Sequence, residues 1–116
     1  MTMKKTVVLV WLLATLCSCP STSGKLRVVN NSSYVVTNVA AWSIADEYWI
    51  QLFDYNIEEE HIQPGEAKLL EVEIEGYYNL HAGNPQKTWG KSSIYFGPGT
   101  KVTWTLGDDG NGDISN

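Results

Sequence analysis

Apolar and acidic residues alternate across residues 70–75, and this pattern constrains the fold more than any other feature of the chain. Leu70, Val72 and Ile74 are each followed by a glutamate. A period of two residues places one set of side chains on each side of a β-strand. This segment is therefore predicted to be a strand with one buried face and one face in water. Gly76 ends the pattern.

Residues 25–106 contain further short runs rich in β-branched and aromatic residues, which favour pleated, half-buried strands. Seven strands are predicted: Lys25–Asn30, Tyr34–Trp42, Tyr48–Phe53, Leu70–Glu75, Tyr77–Ala82, Ser92–Phe96 and Val102–Leu106. The fourth and fifth are expected to form a hairpin. Turn signals separate the runs, including Pro64-Gly65 and Gly97-Pro98-Gly99. Short antiparallel strands at this spacing predict a single all-β domain, a small β-sandwich.

The stretches "RVVNNSSY", "IQPGE", "EGYYNL" and "TWTL" follow one another within residues 25–106. This order resembles that of a small immunoglobulin-like or transthyretin-like sandwich found in exported bacterial proteins. The resemblance implies the fold alone. Sandwiches of this kind host many unrelated functions, so it assigns no functional residue to this chain.

The first residues have the composition of an export signal. Lys4 and Lys5 precede an apolar run from Thr6 to Leu16, which is shorter than the roughly 20 residues of a membrane-spanning helix. A basic start, a short apolar run and small residues are typical of a secretory signal peptide. Residues 1–18 are therefore predicted to be a signal peptide. The alternative, a buried N-terminal element of the domain, has no complementary core segment downstream.

Both cysteines of the chain lie in "LCSC", directly after the apolar run. Cys17 and Cys19 are too close in sequence for good disulfide geometry, and two thiols are too few for structural zinc. The tetrapeptide resembles a bacterial lipobox, which implies cleavage before Cys19 and lipid on its thiol. Two acyl chains hold a protein stably on a bilayer.

The expected location is therefore a bacterial membrane, with the domain facing outside the cytoplasm. Residues 19–24 are predicted to be a flexible tether between lipid and domain, because serine and glycine bury little apolar area. Ordinary cleavage near Ser18 or Ser23 is the alternative, and it predicts a secreted or periplasmic protein.

The predicted mature chain is one small acidic domain. Removing residues 1–18 from the 116 leaves 98. Removing Lys4 and Lys5 leaves six basic residues against thirteen acidic ones, a formal charge of −7. Nucleic acid is not an expected partner, because phosphate neutralisation supplies most of that affinity. Residues 107–116 lack an apolar face and are predicted to be a flexible acidic tail.

The densest titratable cluster is Glu58-Glu59-Glu60-His61. Consecutive residues point in different directions, so a solvated loop is favoured over a metal or hydrolytic site that uses Glu58, Glu60 and His61. The sequence has no nucleophile elbow, phosphate loop or His-Glu-x-x-His motif. The chain is predicted not to be an enzyme, and no cofactor or metal is expected.

Aromatic side chains are the candidate ligand-binding residues. Trp104 and Tyr78 lie in alternating strands and are predicted core residues. The candidates for an exposed platform are Trp42, Tyr48, Trp49 and Trp89. Core packing is favoured for Trp42 and Trp49. Trp89 lies in the loop-like "GNPQKTWGKS", and binding residues concentrate on loops.

These observations predict a non-catalytic binding or structural module of the cell envelope. A protein partner is the first expectation, and its mark would be an unpaired sheet edge or an apolar patch. Carbohydrate is the alternative, because a flat Trp/Tyr platform with nearby Asn and Gln suits sugar rings.

Overall fold

The structure of the chain is a computed structural model that describes residues 24–53 and 56–116. The predicted signal peptide, Cys19 and the tether up to Ser23 lie outside the described residues. The described part contains eight strands: β1 (Gly24–Asn30), β2 (Asn38–Ser43), β3 (Tyr48–Gln51), β4 (Ala67–Val72), β5 (Gly76–Gly83), β6 (Thr88–Phe96), β7 (Lys101–Leu106) and β8 (Asp113–Ser115). One turn of 3-10 helix, Glu58–Glu60, lies between β3 and β4.

The strands form two four-stranded sheets that pack face to face. Sheet I has the order β4-β1-β7-β8, and sheet II has the order β3-β2-β5-β6. Neighbouring strands are antiparallel except β1 and β7, which run parallel. The prediction of an all-β sandwich is confirmed. The predicted count of seven strands is wrong, because an eighth forms after β7, and the β1–β7 pair corrects the expectation that all strands are antiparallel.

The core lies between the sheets and is built mainly by alternation along the strands, with exceptions at the consecutive buried residues of β2 and at the irregular β5–β6 register. Its fully buried members include Leu26, Val28, Val72, Val102, Trp104 and Leu106 from sheet I and Val39, Ala41, Tyr78, Ala82, Trp89 and Phe96 from sheet II. Trp104 and Tyr78 are therefore core residues, as predicted. Because alternate residues point inward, every strand also presents an outer set of side chains to solvent.

The predicted hairpin of the fourth and fifth strands does not form. β4 pairs with β1 in sheet I, whereas β5 pairs with β2 and β6 in sheet II. The chain crosses between the sheets at residues 73–75, so Ile74 is left exposed although it continues the alternation. Alternation determines which face of a strand is buried but carries no information about its neighbour in the sheet.

Two predicted Pro-Gly turns are confirmed. The Glu66 N–H donates to the Gln63 carbonyl at 2.9 Å, and Gly65 between them has a φ of +88°. The Thr100 N–H donates to the Gly97 carbonyl at 3.0 Å, with Gly99 at +78°. Proline in the second position and a left-handed glycine in the third are what a type II turn requires.

A buried asparagine holds the segment that follows β1. The Asn30 side chain donates to the carbonyls of Tyr34 at 2.7 Å and Ile62 at 2.9 Å. Its Oδ1 accepts the Ser32 N–H at 3.0 Å and the Ser32 hydroxyl at 2.6 Å. The Asn30 side chain therefore supplies hydrogen bonds to some of the backbone N–H and C=O groups of residues 31–37. Strand β2 begins only at Asn38, and not at Tyr34 as predicted.

The segment predicted to be a flexible acidic tail is held against the sandwich. The Trp104 indole N–H donates to the Asn111 carbonyl and the Trp89 indole N–H to the Gly107 carbonyl, both at 2.8 Å. Asp108 Oδ1 accepts both the N–H and the hydroxyl of Ser33, and these hydrogen bonds, the backbone one first, lower the pKa of Asp108. The acceptors of the two indoles are backbone carbonyls, which every residue carries, so composition gave no sign of these two anchors.

Gly112 is expected to tolerate no side chain. Its φ is +80°, and a Cβ would lie 2.5 Å from the Thr105 carbonyl oxygen. Gly112→Ala combines backbone strain with this clash, so we expect a loss of about 2 kcal/mol or more in the free energy of unfolding.

Gly110→Ala is the matched control, because Gly110 has a φ of +69° but open space around its Cβ position. Urea denaturation should show the smaller loss, about 1 kcal/mol, for Gly110→Ala; equal losses would contradict the proposed clash.

Candidate functional site

The outer side of sheet II carries a cluster of aromatic and amide side chains. Trp42 of β2 lies directly between Trp49 of β3 and Asn79 of β5 in the sheet register. In the next outward row, Ala40 lies between Gln51 and His81. We use the name aromatic face for the outward side chains of Asn38, Trp42, Trp49, Gln51, Asn79 and His81.

The rings of this face contact one another edge to face. The centroids of Trp42 and Trp49 are 5.4 Å apart, and those of Trp49 and His81 are 6.3 Å apart. Trp49 remains 57% exposed, while Trp42 is half-buried. A shallow depression of about 330 Å³ opens beside them, lined by Trp42, Trp49 and Asn79. A ligand in this depression would cover apolar ring surface that now faces water.

Polar groups surround the two indoles. The Gln51 amide donates to Asn38 Oδ1, so these two side chains hold each other in position. Asn79 Oδ1 accepts the Ser93 N–H at 3.0 Å, which orients that amide. Within residues 24–53 and 56–116, the Asn79 amide nitrogen has no hydrogen-bond acceptor. A few oriented polar groups beside apolar surface are the composition of a small-molecule binding site.

A second aromatic pair extends the same side of the sheet. Tyr77 and Tyr95 are opposite each other on β5 and β6, with centroids 5.3 Å apart. Both rings are exposed. The Tyr95 hydroxyl donates to the Glu75 carboxylate, and this hydrogen bond raises the pKa of Tyr95.

Tyr48 does not belong to the aromatic face. It is adjacent to Trp49 in the sequence, but alternation along β3 turns it to the opposite side of the sheet. In the register Tyr48 lies beside Ser43, which is buried. Two neighbouring candidates are therefore separated by the sheet, and Tyr48 lines the gap between the sheets instead.

Trp89, the leading candidate of the sequence analysis, is a core residue, and its assignment to an exposed platform is wrong. It is 1% exposed. β6 begins at Thr88, so Trp89 lies in a strand rather than a loop and on the inward side of it. The ring contacts Tyr34 edge to face at 6.3 Å, and the Lys87 ammonium lies 5.5 Å from its centroid.

The acidic cluster before the Pro-Gly turn forms the single turn of 3-10 helix. Glu58 and Glu59 are exposed, and Glu60 and His61 are half-buried with interactions of their own. Across the described residues, no group of three His, Cys, Asp or Glu side chains is placed to hold a metal ion. The geometry thus offers no support for a metal or hydrolytic site that uses Glu58, Glu60 and His61.

Comparison with known proteins finds a similarity of fold and no similarity of sequence to a family model or a curated protein. No protein-family model matches the chain, and no curated protein matches it. The fold is similar to the NMR structure of a protein from Eubacterium rectale, with a TM-score of 0.51 and 11% sequence identity. The similarity covers 84% of this chain and 89% of that one. At this identity it supports the all-β fold and carries no function.

The part of the chain that the structure describes has no helix with the length and apolar character needed to cross a membrane.

Sequence reasoning missed the polar members of the aromatic face. Tyr77, Asn79 and His81 alternate in the sequence, which placed them together on the outer side of one strand. Their position beside Trp42 and Trp49 depends on the pairing of β2 with β5, and no local pattern specifies that pairing.

Proposed function

We propose that this chain is a non-catalytic binding module, held on the outer side of a bacterial membrane by lipid on Cys19, and that its aromatic face binds carbohydrate. The observation that carries the ligand class is the exposed Trp49 ring, supported by Trp42 and bordered by the Asn79 and Gln51 amides. An indole covers the apolar face of a sugar ring, and the amides bond its hydroxyl groups.

The charge of the aromatic face favours a neutral sugar. Five of its six side chains are amides or indoles, which carry no ionisable group, and the sixth is His81. No lysine or arginine belongs to the face, so phosphate or carboxylate ligands would find no partner charge there. The protein-interaction role, which was the first expectation from sequence, rests on a different surface, the free edge of β3.

The strand order supports the transthyretin-like form of the predicted sandwich over the immunoglobulin-like one. An immunoglobulin constant domain places its first, second, fourth and fifth strands in one sheet. Here the first strand lies between the fourth and the seventh, and the second and fifth belong to the opposite sheet. We therefore assign the domain to the transthyretin-like class as part of this proposal.

Trp49→Ala is expected to weaken carbohydrate binding without changing stability. Loss of the ring should weaken binding at least about tenfold, since 1.4 kcal/mol corresponds to a factor of ten. The thermal midpoint should stay the same, because substitutions at exposed positions are usually within about 0.5 kcal/mol. Calorimetric titration of the mature protein with neutral hexose and N-acetylhexosamine oligosaccharides measures the first effect.

Leu69→Ala is the matched control for that experiment. Leu69 is 56% exposed, almost as much as Trp49, but lies on the outer side of sheet I. The Leu69→Ala variant should bind the same oligosaccharides with the same affinity as the unmodified protein. Absence of binding by the unmodified protein at about 1 mM sugar, or unchanged binding by Trp49→Ala, would refute the proposed ligand class.

The lipid anchor is tested by the intact mass of the mature protein. We expect protein purified from the membrane fraction of its native host to begin at Cys19 and to carry acyl chains. Cys19→Ser should remove the acyl mass and release the protein from the membrane fraction, because no thiol remains at that position. A lipid-free chain that begins beyond Cys19 would mean a secreted or periplasmic protein.

A further inference from the structure

A cleft of about 440 Å³ opens along one side of the sandwich. It lies between β3, an edge strand of sheet II, and β4, an edge strand of sheet I. The side chains that line it are apolar or acidic, apart from the Gln51 amide; the others are Tyr48, Ile50, Leu52, Glu71, Glu73 and Ile74. Tyr48 and Ile74 are exposed, so apolar surface faces water at this opening. We name it the edge cleft.

Among residues 24–53 and 56–116, some backbone hydrogen-bonding groups of β3 beside this cleft have no partner. The Leu52 N–H donates to the Val39 carbonyl of β2 at 2.9 Å. In an antiparallel pair the backbone groups of successive residues point to opposite sides of the strand. The N–H and C=O groups of Gln51 and Trp49 are therefore turned away from β2, toward the open edge. Such an edge is a template for another strand.

The charge around the edge cleft selects the occupant. Glu71 and Glu73 stand at its rim, and the predicted mature chain has a formal charge of −7. Lys25 is ion-paired with Glu71 and neutralises part of this charge. A segment with lysine or arginine is therefore attracted to this edge, whereas a second copy of this acidic chain brings like charge to it.

We propose that the edge cleft binds an extended basic segment of another protein, which adds to β3 as a fifth strand of sheet II. The backbone of the segment bonds to Trp49 and Gln51. Its apolar side chains on the inward side cover Tyr48, Ile50 and Ile74, and its lysine or arginine residues approach Glu71 and Glu73. The inference goes beyond carbohydrate binding, because it uses a different side of β3 and a different class of ligand.

Three synthetic peptides test the proposal with the mature protein in nanodiscs of zwitterionic lipid. The peptide KVTVTVK can pair with β3 and carries positive charge. EVTVTVE reverses the charge, and KVTPTVK loses a central backbone N–H and cannot continue the ladder. We expect KVTVTVK to shift the amide resonances of Trp49 and Gln51 and to slow their hydrogen exchange. The other two peptides should bind at least about tenfold more weakly.

A charge variant of the protein links the binding to the edge cleft. Glu73→Gln should weaken KVTVTVK about threefold, the size expected for one exposed charge pair. Glu59→Gln, an exposed glutamate in the 3-10 helix, is the control and should bind as the unmodified protein does.

Several outcomes would overturn the proposal. They are equal binding of all three peptides, absence of any shift with KVTVTVK at about 1 mM, or shifts confined to residues outside the cleft. Protection of Trp49 and Gln51 amides without peptide, together with a dimer in sedimentation, would show that a second copy occupies the edge instead. Oligosaccharide titration reports separately on the carbohydrate proposal, because its shifts are expected at the Trp42 and Trp49 indoles.

Discussion

Trp89→Ala is expected to cost about 3–5 kcal/mol of unfolding free energy, the range for truncation of a buried Trp or Phe. Trp89 is 1% exposed, and its removal leaves a cavity between the two sheets. It also leaves the Gly107 carbonyl without its donor and frees the loop before β8. A loss of this size lowers the midpoint of a domain this small by ~12 °C or more, so the variant is expected to be largely unfolded at moderate temperature.

Two further variants separate the contributions of Trp89. Trp89→Phe keeps most of the buried ring area but lacks the indole N–H, so it should lose about 1–3 kcal/mol for the unsatisfied carbonyl. Thr88→Ala, at the exposed neighbouring position, should stay within about 0.5 kcal/mol. Urea and thermal denaturation measure all three. An unchanged midpoint in Trp89→Ala would agree with the exposed platform predicted from sequence and contradict the buried position.

Asn30→Asp is expected to lower the free energy of unfolding by about 3 kcal/mol or more, because it removes buried hydrogen bonds and buries a charge. Asn30 is fully buried, and its amide nitrogen supplies hydrogen bonds to the Tyr34 and Ile62 carbonyls. A carboxylate has the same shape but donates nothing, so the Tyr34 and Ile62 carbonyls each lose one of two donors, at about 0.5–1.5 kcal/mol per hydrogen bond. They keep the Ser32 hydroxyl and the Val36 N–H, respectively. Burying the new charge adds to the cost.

Asn31→Asp is the matched control for Asn30→Asp. Asn31 is adjacent and exposed, and its bond to the Leu106 carbonyl comes from its backbone N–H, which the substitution keeps. The two variants have the same composition and formal charge. Urea unfolding at neutral pH should show the large loss for Asn30→Asp alone. Similar midpoints for both would mean that the hydrogen bonds of the Asn30 side chain contribute little.

The contrast between Trp49 and Trp89 explains why aromatic sites are hard to locate from sequence. Trp49 is flanked by Tyr48 and Ile50, which favours core packing, whereas Trp89 lies in "GNPQKTWGKS", which has the composition of a loop. The structure reverses both expectations, because Trp49 is exposed and Trp89 is buried. Composition reports the average environment of a segment, but burial depends on which side of the strand a residue occupies. β6 begins one residue before Trp89 and turns it inward, and the β2–β3 pairing turns Trp49 outward onto Trp42.

The C-terminal segment shows the same limit for loops. Its residues lack apolar surface except at Ile114, so a flexible tail was the reasonable prediction. In the folded protein, the indoles of Trp89 and Trp104 donate to carbonyls of this segment and hold β8 beside β7. These donors come from two different sheets, and only the packed sandwich brings them together.

The sequence by itself determined the all-β class, the buried side of β4, β5 and β7, and the Pro-Gly turns at Gly65 and Gly99. These features depend on period-two alternation and on the φ preferences of proline and glycine, which act within a few residues. The tertiary structure alone decided the strand order, the eighth strand and the membership of the aromatic face. These features depend on contacts between residues that are distant in the chain. Local preferences allow many strand pairings equally well, and the structure adopts the one that buries apolar area and pairs the backbone N–H and C=O groups.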